Sequence, residues 1–74
     1  MPRIESKLNI ENKIQELRGA EGITQQQLAD ELEVTRATVV ALERGSYNPS
    51  LELAFRIARY FGVGIEKIFK VKGN

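Results

Sequence analysis

The stretch TQQQLADELEVTRATVVALERG, residues 24–45, decides the fold, because it holds the start and stop signals of two consecutive helices. Thr24 is followed three residues later by Gln27, the spacing of a capping box, in which each side chain accepts a hydrogen bond from the other residue's backbone amide. Apolar residues then recur at helical spacing, namely Leu28, Ala29 and Leu32. We therefore predict a helix that begins at Thr24 and stops around Glu33.

A second helix follows after a very short connection. Thr35 is a second capping residue, and Gly45 suits the left-handed conformation that commonly ends a helix. The inward-facing residues of this helix are Val39 and Leu42. Because only about two or three residues separate the two helices, they meet at a tight corner, which is the geometry of a helix-turn-helix.

Upstream of this pair, the sequence predicts one more helix. Asn9 is placed to cap its start, and the glycines at Gly19 and Gly22 end it near Arg18. Its apolar face is formed by Ile10, Ile14 and Leu17. We expect residues 1–9 to form an extended, mobile N-terminal arm.

Downstream, the sequence predicts two further helices. Ser50 caps a helix that Gly62 closes, and Gly64 opens a short one after it. The inward residues of the first are Leu51, Ala54, Ile57, Ala58 and Phe61, and those of the second are Ile65, Ile68 and Phe69. The prediction is an all-α, compact five-helix domain over residues 10–69, with residues 70–74 as a short tail that is a candidate dimer strand.

The composition excludes several classes of function. The chain has 74 residues, a net charge of +1 and neither Cys nor His, so it lacks thiolate and imidazole ligands for a metal and the usual neutral-pH base. Asp30 and Glu31 are adjacent but point different ways on a helix, and no other residues resemble a catalytic base. We expect no enzyme activity, no metal, no cofactor and no small-molecule effector site. No apolar run approaches the ~20 residues that cross a bilayer, and no secretory signal is evident, so we expect no membrane association and a cytoplasmic location.

Residues 24–50 closely resemble the lambda-repressor-like, Cro-type helix-turn-helix regulators, also called the xenobiotic-response-element family. The resemblance rests on T-Q-x-x-L-A, V-T-R-x-T-V and L-E-R-G-x-x-x-P in order and at the family's spacing. The flanking I-Q-E-L-R and L-A-x-x-I-A-x-x-F-G-V segments match too, so the similarity covers roughly residues 10–69. It implies a sequence-specific regulator of transcription that binds double-stranded DNA, most simply as a repressor at an inverted repeat.

The resemblance also implies residue roles. In this family the second helix of the pair enters the major groove, which makes Arg36 the first choice for donating twice to guanine. The positions that face the bases are Thr35, Arg36, Ala37, Val40 and Ala41. Contacts to the DNA backbone are expected from Gln25, Arg44, Ser46, Tyr47 and Asn48, although a plain turn explains Asn48 equally well.

The apolar residues among the base-facing positions affect the expected sequence specificity. Ala37, Val40 and Ala41 are apolar where polar readers are common in the family, so they can touch thymine methyls but not base donors and acceptors. One consequence is that sequence specificity is modest or depends on DNA shape. The alternative is that Val40 belongs to a contact with another protein.

The charge is unevenly distributed along the chain. The net charge is −3 over residues 24–34 and +4 over residues 56–74, which places a basic segment near the C-terminus.

The resemblance further implies a salt bridge and a dimer. Arg18 and Glu43 are expected to pair and to lock the first helix to the recognition helix. Family members of this length commonly dimerise through the fifth helix and the tail, here Ile65, Phe69 and Val71, with Phe55 or Tyr60 as further candidates. The alternative function is an antitoxin-like or partner-binding protein that uses the same fold to hold another protein through surfaces such as Val40 and Phe55.

Overall fold

A computed structural model describes residues 9–72. The elements are β1 (Ile10–Asn12), α1 (Ile14–Glu21), α2 (Gln25–Leu32), α3 (Arg36–Arg44), α4 (Leu51–Phe61), α5 (Ile65–Ile68) and β2 (Phe69–Val71). The five helices confirm the predicted fold class, to which the structure adds a small two-stranded sheet. Apart from Asn9, the predicted N-terminal arm lies outside the described residues, as do the last two residues of the tail.

The helix-turn-helix forms at the predicted signals. Thr24 and Gln27 make the complete capping box, with the Thr24 amide donating to Gln27 Oε1 at 2.7 Å and the Gln27 amide donating to Thr24 Oγ1 at 3.0 Å. Thr35 caps α3 by accepting from the Thr38 amide at 3.1 Å. Gly45 ends α3 with a φ of 77°, a left-handed conformation that costs glycine little.

The corner between α2 and α3 is held by backbone geometry. Glu33 ends α2 with a φ of 59°, which is unusual for a residue with a side chain and turns the chain sharply. The Val34 amide then donates to the Ala29 carbonyl at 3.0 Å, and the Val34 side chain packs against the core. As a result α2 and α3 contact each other more extensively than any other pair of elements.

One apolar core joins all five helices. Its fully buried large side chains are Ile14, Leu28, Leu32, Val39, Leu42, Ile57 and Ile68. Each helix contributes at least one of them, so no helix can shift without opening a gap in this core. No buried side-chain nitrogen or oxygen among residues 9–72 lacks a hydrogen-bond partner.

The predicted start of the first helix is wrong. Residues 10–12 form β1, which pairs antiparallel with β2 so that Ile10 lies opposite Val71 and Asn12 opposite Phe69. Asn9 therefore caps no helix, and α1 begins at Ile14, whose amide donates to Asn12 Oδ1 at 3.1 Å. The predicted end is also early, because α1 continues through Gly19 to Glu21 before Gly22 stops it.

The predicted inward face of α4 is wrong at its first residue. Leu51 is 73% exposed, whereas Leu53, which the spacing argument omitted, is only 7% exposed. Helical spacing places Leu51 at the edge of the stripe formed by Leu53, Ala54, Ile57 and Ala58, on the side of the likewise exposed Phe55 one turn later. Phe61 packs against the core as predicted.

The C-terminal tail continues strand β2, which pairs with β1 at the start of the same chain. The predicted role of the tail as a dimer strand stays a prediction. Phe69 belongs to β2 rather than to α5, which ends at Ile68. One edge of β2 is occupied by β1, and the Lys72 amide extends the pairing by donating to the Asn9 carbonyl at 2.6 Å. No helix within residues 9–72 has the length and apolar character needed to cross a bilayer.

Candidate nucleic-acid interface

The outward side of α3 forms a shallow depression that we call the reading face. It has a volume of about 440 Å³ and is lined by Arg36, Ala37, Val40, Ala41, Arg44 and Ser46. The structure thus brings together four of the five predicted base readers and two of the predicted backbone contacts. Their common position follows from helical periodicity, since residues three or four apart share one side of a helix.

The reading face is positively charged at both ends and apolar between them. Arg36 and Arg44 are exposed and lie eight residues apart, about 12 Å along the helix axis. Val40 and Ala41 are half-buried between them, and none of the lining residues is acidic. Such a surface can donate to base edges or phosphates at its ends and touch methyl groups at its centre.

Four of the ten predicted DNA-contacting residues lie outside the reading face. Thr35 is exposed, but its hydroxyl is engaged in capping α3 and in a 3.0 Å contact with Thr38 Oγ1. Tyr47 is exposed in the loop after α3, and Gln25 lies at the start of α2. Asn48 lines a separate apolar groove beside α4 and α5, so the structure does not place its side chain with the others.

A largely buried ion pair connects α3 to α1. Arg18 Nε donates to Glu43 Oε2 at 2.6 Å and Arg18 Nη2 donates to Glu43 Oε1 at 3.2 Å. The Glu43 side chain is only 4% exposed and that of Arg18 17%. Arg18 Nη1 also donates to the Ile23 carbonyl at 2.9 Å, so the same guanidinium fastens the loop that leads into α2.

The expected pairing of Arg18 with Glu43 is therefore present, in a two-pronged geometry. The hydrogen bond that Arg18 donates to the Glu43 carboxylate raises the pKa of Arg18 above its ordinary value, despite an opposing effect of burial. Charge-assisted, two-pronged pairs of this kind fix orientation as well as distance. Helix α3 is consequently held at a set rotation relative to α1.

The ion pair continues into the candidate DNA-contacting residues. Gln25 Nε2 donates to Glu43 Oε1 at 3.0 Å, and Arg36 Nη2 approaches Gln25 Oε1 at 3.4 Å. Gln25 therefore has its amide oriented by Glu43, while Arg36 remains exposed with most of its donors unused. Four side chains thus form one polar network that joins α1, α2 and both ends of α3.

The acidic and basic segments lie apart from the reading face. Asp30, Glu31 and Glu33 are exposed at or just after the C-terminal end of α2, and Glu33 Oε2 lies 3.6 Å from Arg56 Nη2 on α4. Part of the basic C-terminal segment is therefore engaged with the acidic patch on the exposed surface. Such exposed pairs contribute little to stability, about 0–1 kcal/mol.

Asn12 contacts α3 directly and was not among the residues predicted from the sequence. Its Nδ2 donates to the Leu42 carbonyl at 2.8 Å, while its Oδ1 accepts from the Ile14 amide at 3.1 Å. The second bond is an Asx turn, and an Asn two residues before an apolar helical run is a signal for one. Reading Asn12 as the interior of a helix concealed that signal.

Comparison with known proteins shows the family. The sequence pattern of the helix-turn-helix family, of the Cro/C1 type, matches residues 14–68, which is most of the chain. The chain belongs to this family, whose members are DNA-binding transcriptional regulators and not enzymes. The resemblance drawn from the sequence motifs is thereby confirmed.

Individual relatives and a solved structure agree with this assignment. An HTH-type transcriptional regulator of Methanocaldococcus jannaschii is 50% identical over 60 residues, which cover 81% of this chain and 91% of that one. The restriction-modification controller protein C.AhdI of Aeromonas hydrophila superposes with a TM-score of 0.67 at 31% identity, over 74% of this chain and 80% of that chain.

Of two more distant relatives, one is named as an activator of transcription and the other as a repressor. The transcriptional activator BcrR of Enterococcus faecalis is 33% identical over 82% of this chain, which spans 30% of BcrR. The cryptic phage CTXphi transcriptional repressor RstR of Vibrio cholerae is 32% identical over 77% of this chain, which spans 51% of RstR.

The buried ion pair generates a stability prediction. Replacing Arg18 by Met leaves the largely buried Glu43 carboxylate without its counter-ion, so we expect the free energy of unfolding to fall by at most about 3–5 kcal/mol, the range for a fully buried pair. Replacing both residues, Arg18→Met with Glu43→Leu, removes the stranded charge and should recover much of that loss. Urea denaturation of the two variants measures both values.

Arg56→Met is the matched control, because it removes an arginine from the exposed 3.6 Å pair with Glu33. Its expected cost is at most about 1 kcal/mol. An Arg18→Met variant no less stable than Arg56→Met would show that the buried pair does not hold α3 in place.

Proposed function

We propose that the protein is a sequence-specific regulator that inserts α3 into the major groove of double-stranded DNA. It acts as a homodimer at an inverted-repeat operator and represses transcription by covering promoter sequence. The observation that carries the proposal is the reading face, in which two arginines flank an apolar strip on an anchored helix. A helix fits the major groove, and two-fold dimers meet successive half-sites about 34 Å apart.

Within this proposal Arg36 reads a base. Its guanidinium is exposed at the first turn of α3, the part of a recognition helix that reaches base edges. Its fork can donate to guanine O6 and N7 together. Ala37, Val40 and Ala41 supply apolar contact, most naturally with thymine methyls, while Thr35 lies beside them at the N-terminus of the helix.

Phosphate contacts complete the proposed docking. Gln25 lies at the N-terminus of α2, where free backbone amides and the helix dipole favour an anion. Arg44, Ser46 and Tyr47 lie at the other end of the reading face or in the loop after it, so contacts would bracket α3 on both sides. For Asn48, the apolar groove that it lines supports a place near the dimer contact instead.

An exposed apolar surface supports the homodimer. Leu51 and Phe55 lie one turn apart on α4 and are 73% and 55% exposed. A groove of about 340 Å³ adjoins Leu51 and is also lined by Ile65 and Phe69, two of the predicted interface residues. We call these four residues the assembly face; Val71, the third predicted interface residue, is exposed on β2. Contiguous apolar side chains on a small protein mark contact with another surface, and a second copy would cover them by two-fold symmetry.

The experiment that tests the function is selection of bound fragments from sheared genomic DNA at near-physiological salt, followed by sequencing. Recovery of a shared inverted repeat with half-site centres about one helical turn apart supports a dimeric operator binder. Retention of fragments without a common motif contradicts the proposal and favours the alternative function, binding of a partner protein. Transcription from a promoter that carries the recovered site, with and without the protein, then decides between repression and activation.

For the recovered operator, Arg36→Ala should reduce discrimination at one base position by about 1–3 kcal/mol, because a two-pronged base contact is lost. The matched control is Arg44→Ala at the other end of α3, which should weaken binding to all sequences alike and lower the salt dependence by about one phosphate contact. Competition titrations against single-base operator variants measure both effects. Equal weakening of every sequence by Arg36→Ala would assign Arg36 to the phosphates instead.

The assembly face generates a separate prediction. Leu51→Glu should raise the dimer dissociation constant by about 100-fold or more. In a two-fold dimer the substitution occurs in both protomers, so the burial of a Leu side chain, worth ~1.5–3 kcal/mol, is lost twice. Analytical ultracentrifugation measures the change. Gln15→Glu, the same charge on the exposed surface of α1, is the matched control and should leave the dimer intact. A Leu51→Glu variant that dimerises like Gln15→Glu would place the interface elsewhere.

A further inference from the structure

Asn12 connects two parts of the chain that are far apart in sequence. Its Oδ1 accepts from the Ile14 amide at 3.1 Å and starts α1, while its Nδ2 donates to the Leu42 carbonyl, 30 residues away, at 2.8 Å. Asn12 is half-buried, and Leu42 is fully buried. Both polar ends of one amide are therefore satisfied by backbone groups of different helices.

The Leu42 carbonyl lies in the last turn of α3. It also accepts from the Gly45 amide at 3.0 Å, so the Asn12 bond is made at the point where the helix stops. Carbonyl groups of an α-helix point along its axis toward the C-terminus. A donor fixed at that carbonyl therefore restrains the end of α3 along its axis.

This restraint differs in direction from the one that Glu43 supplies. The Glu43 side chain projects sideways from α3 to Arg18, so that pair restrains rotation about the helix axis. The two attachment points are consecutive residues, Leu42 and Glu43, but one bond runs along the axis and the other across it. Together they define both the rotation and the axial position of the reading face.

The other end of the Asn12 restraint is the small sheet. The Asn12 backbone pairs with Phe69 of β2, and the neighbouring Lys13 amide donates to the Ile68 carbonyl at 2.9 Å. Asn12 is thus fixed to the segment that carries Phe69 of the assembly face, while its side chain reaches α3.

We propose that Asn12 is a positioning residue for DNA recognition, which holds the C-terminal end of α3 against the β1–β2 sheet and so sets the angle at which the reading face meets the groove. The inference rests on the proposed function, because a change of angle matters only if α3 reads DNA. Asn12 itself lines no part of the reading face. Its effect on DNA is exerted through the Leu42 carbonyl.

Asn12→Asp separates the two roles of the side chain. The carboxylate still accepts from the Ile14 amide, and its charge suits the N-terminus of α1. It cannot donate to the Leu42 carbonyl and places an oxygen against that oxygen instead. Asn12→Ala removes both bonds without adding charge.

We expect both variants to bind the operator about 3- to 10-fold more weakly relative to non-specific DNA, because the complex must now hold α3 at the docking angle without a hydrogen bond that contributes roughly 0.5–1.5 kcal/mol. Two controls isolate the cause. Gln15→Glu adds the same charge as Asn12→Asp on the exposed surface of α1, and Ile57→Val perturbs the core from α4. Neither control should change the ratio of operator to non-specific affinity, measured at a temperature where all variants are folded.

A second measurement needs no DNA. Residual dipolar couplings of the free protein report the orientation of α3 relative to α1, which should change in Asn12→Asp and Asn12→Ala and not in Gln15→Glu or Ile57→Val. An unchanged orientation, or an unchanged affinity ratio, in both Asn12 variants would overturn the proposal. If the wild-type protein selects no operator, the proposed function fails, while the dipolar couplings still decide whether Asn12 positions α3.

Discussion

The Glu43 carboxylate is the group on which the arrangement of this small protein depends. It is almost fully buried, and it accepts hydrogen bonds from Arg18 on α1 and from Gln25 on α2 while belonging to α3. A buried carboxylate is tolerated only when its oxygens are satisfied. The three helices must therefore keep the positions that bring these donors to it, in addition to closing the apolar core.

The division of surfaces follows from this inner network. Polar bonds occupy one side of α3, the core occupies another, and the remaining side carries Arg36 and Arg44 around an apolar strip. Exposed Leu51 and Phe55 lie on a different helix, so the proposed DNA contact and the proposed self-association would not compete for the same side chains. Both proposed surfaces thereby fit around a single core in a chain of 74 residues.

The helix-turn-helix was predictable from sequence because its signals are local. The capping box at Thr24 and the caps at Thr35 and Gly45 each act within a few residues, and the structure contains all of them. Strand β1 was not predictable in this way, because three residues form a strand only when residues 69–71 lie beside them. Asn12 was missed for the same reason, since its partner at Leu42 is determined by the tertiary fold.

The most direct test of the account is an NMR titration of the protein with its selected operator duplex, read as chemical-shift changes of backbone amides and arginine side chains. We expect the largest changes on α3, at Arg36, Ala37, Val40 and Ala41, and the next largest at the Gln25 amide. Changes centred on Leu51 and Phe55, with α3 unaffected, would contradict the claim that the anchored helix reads DNA.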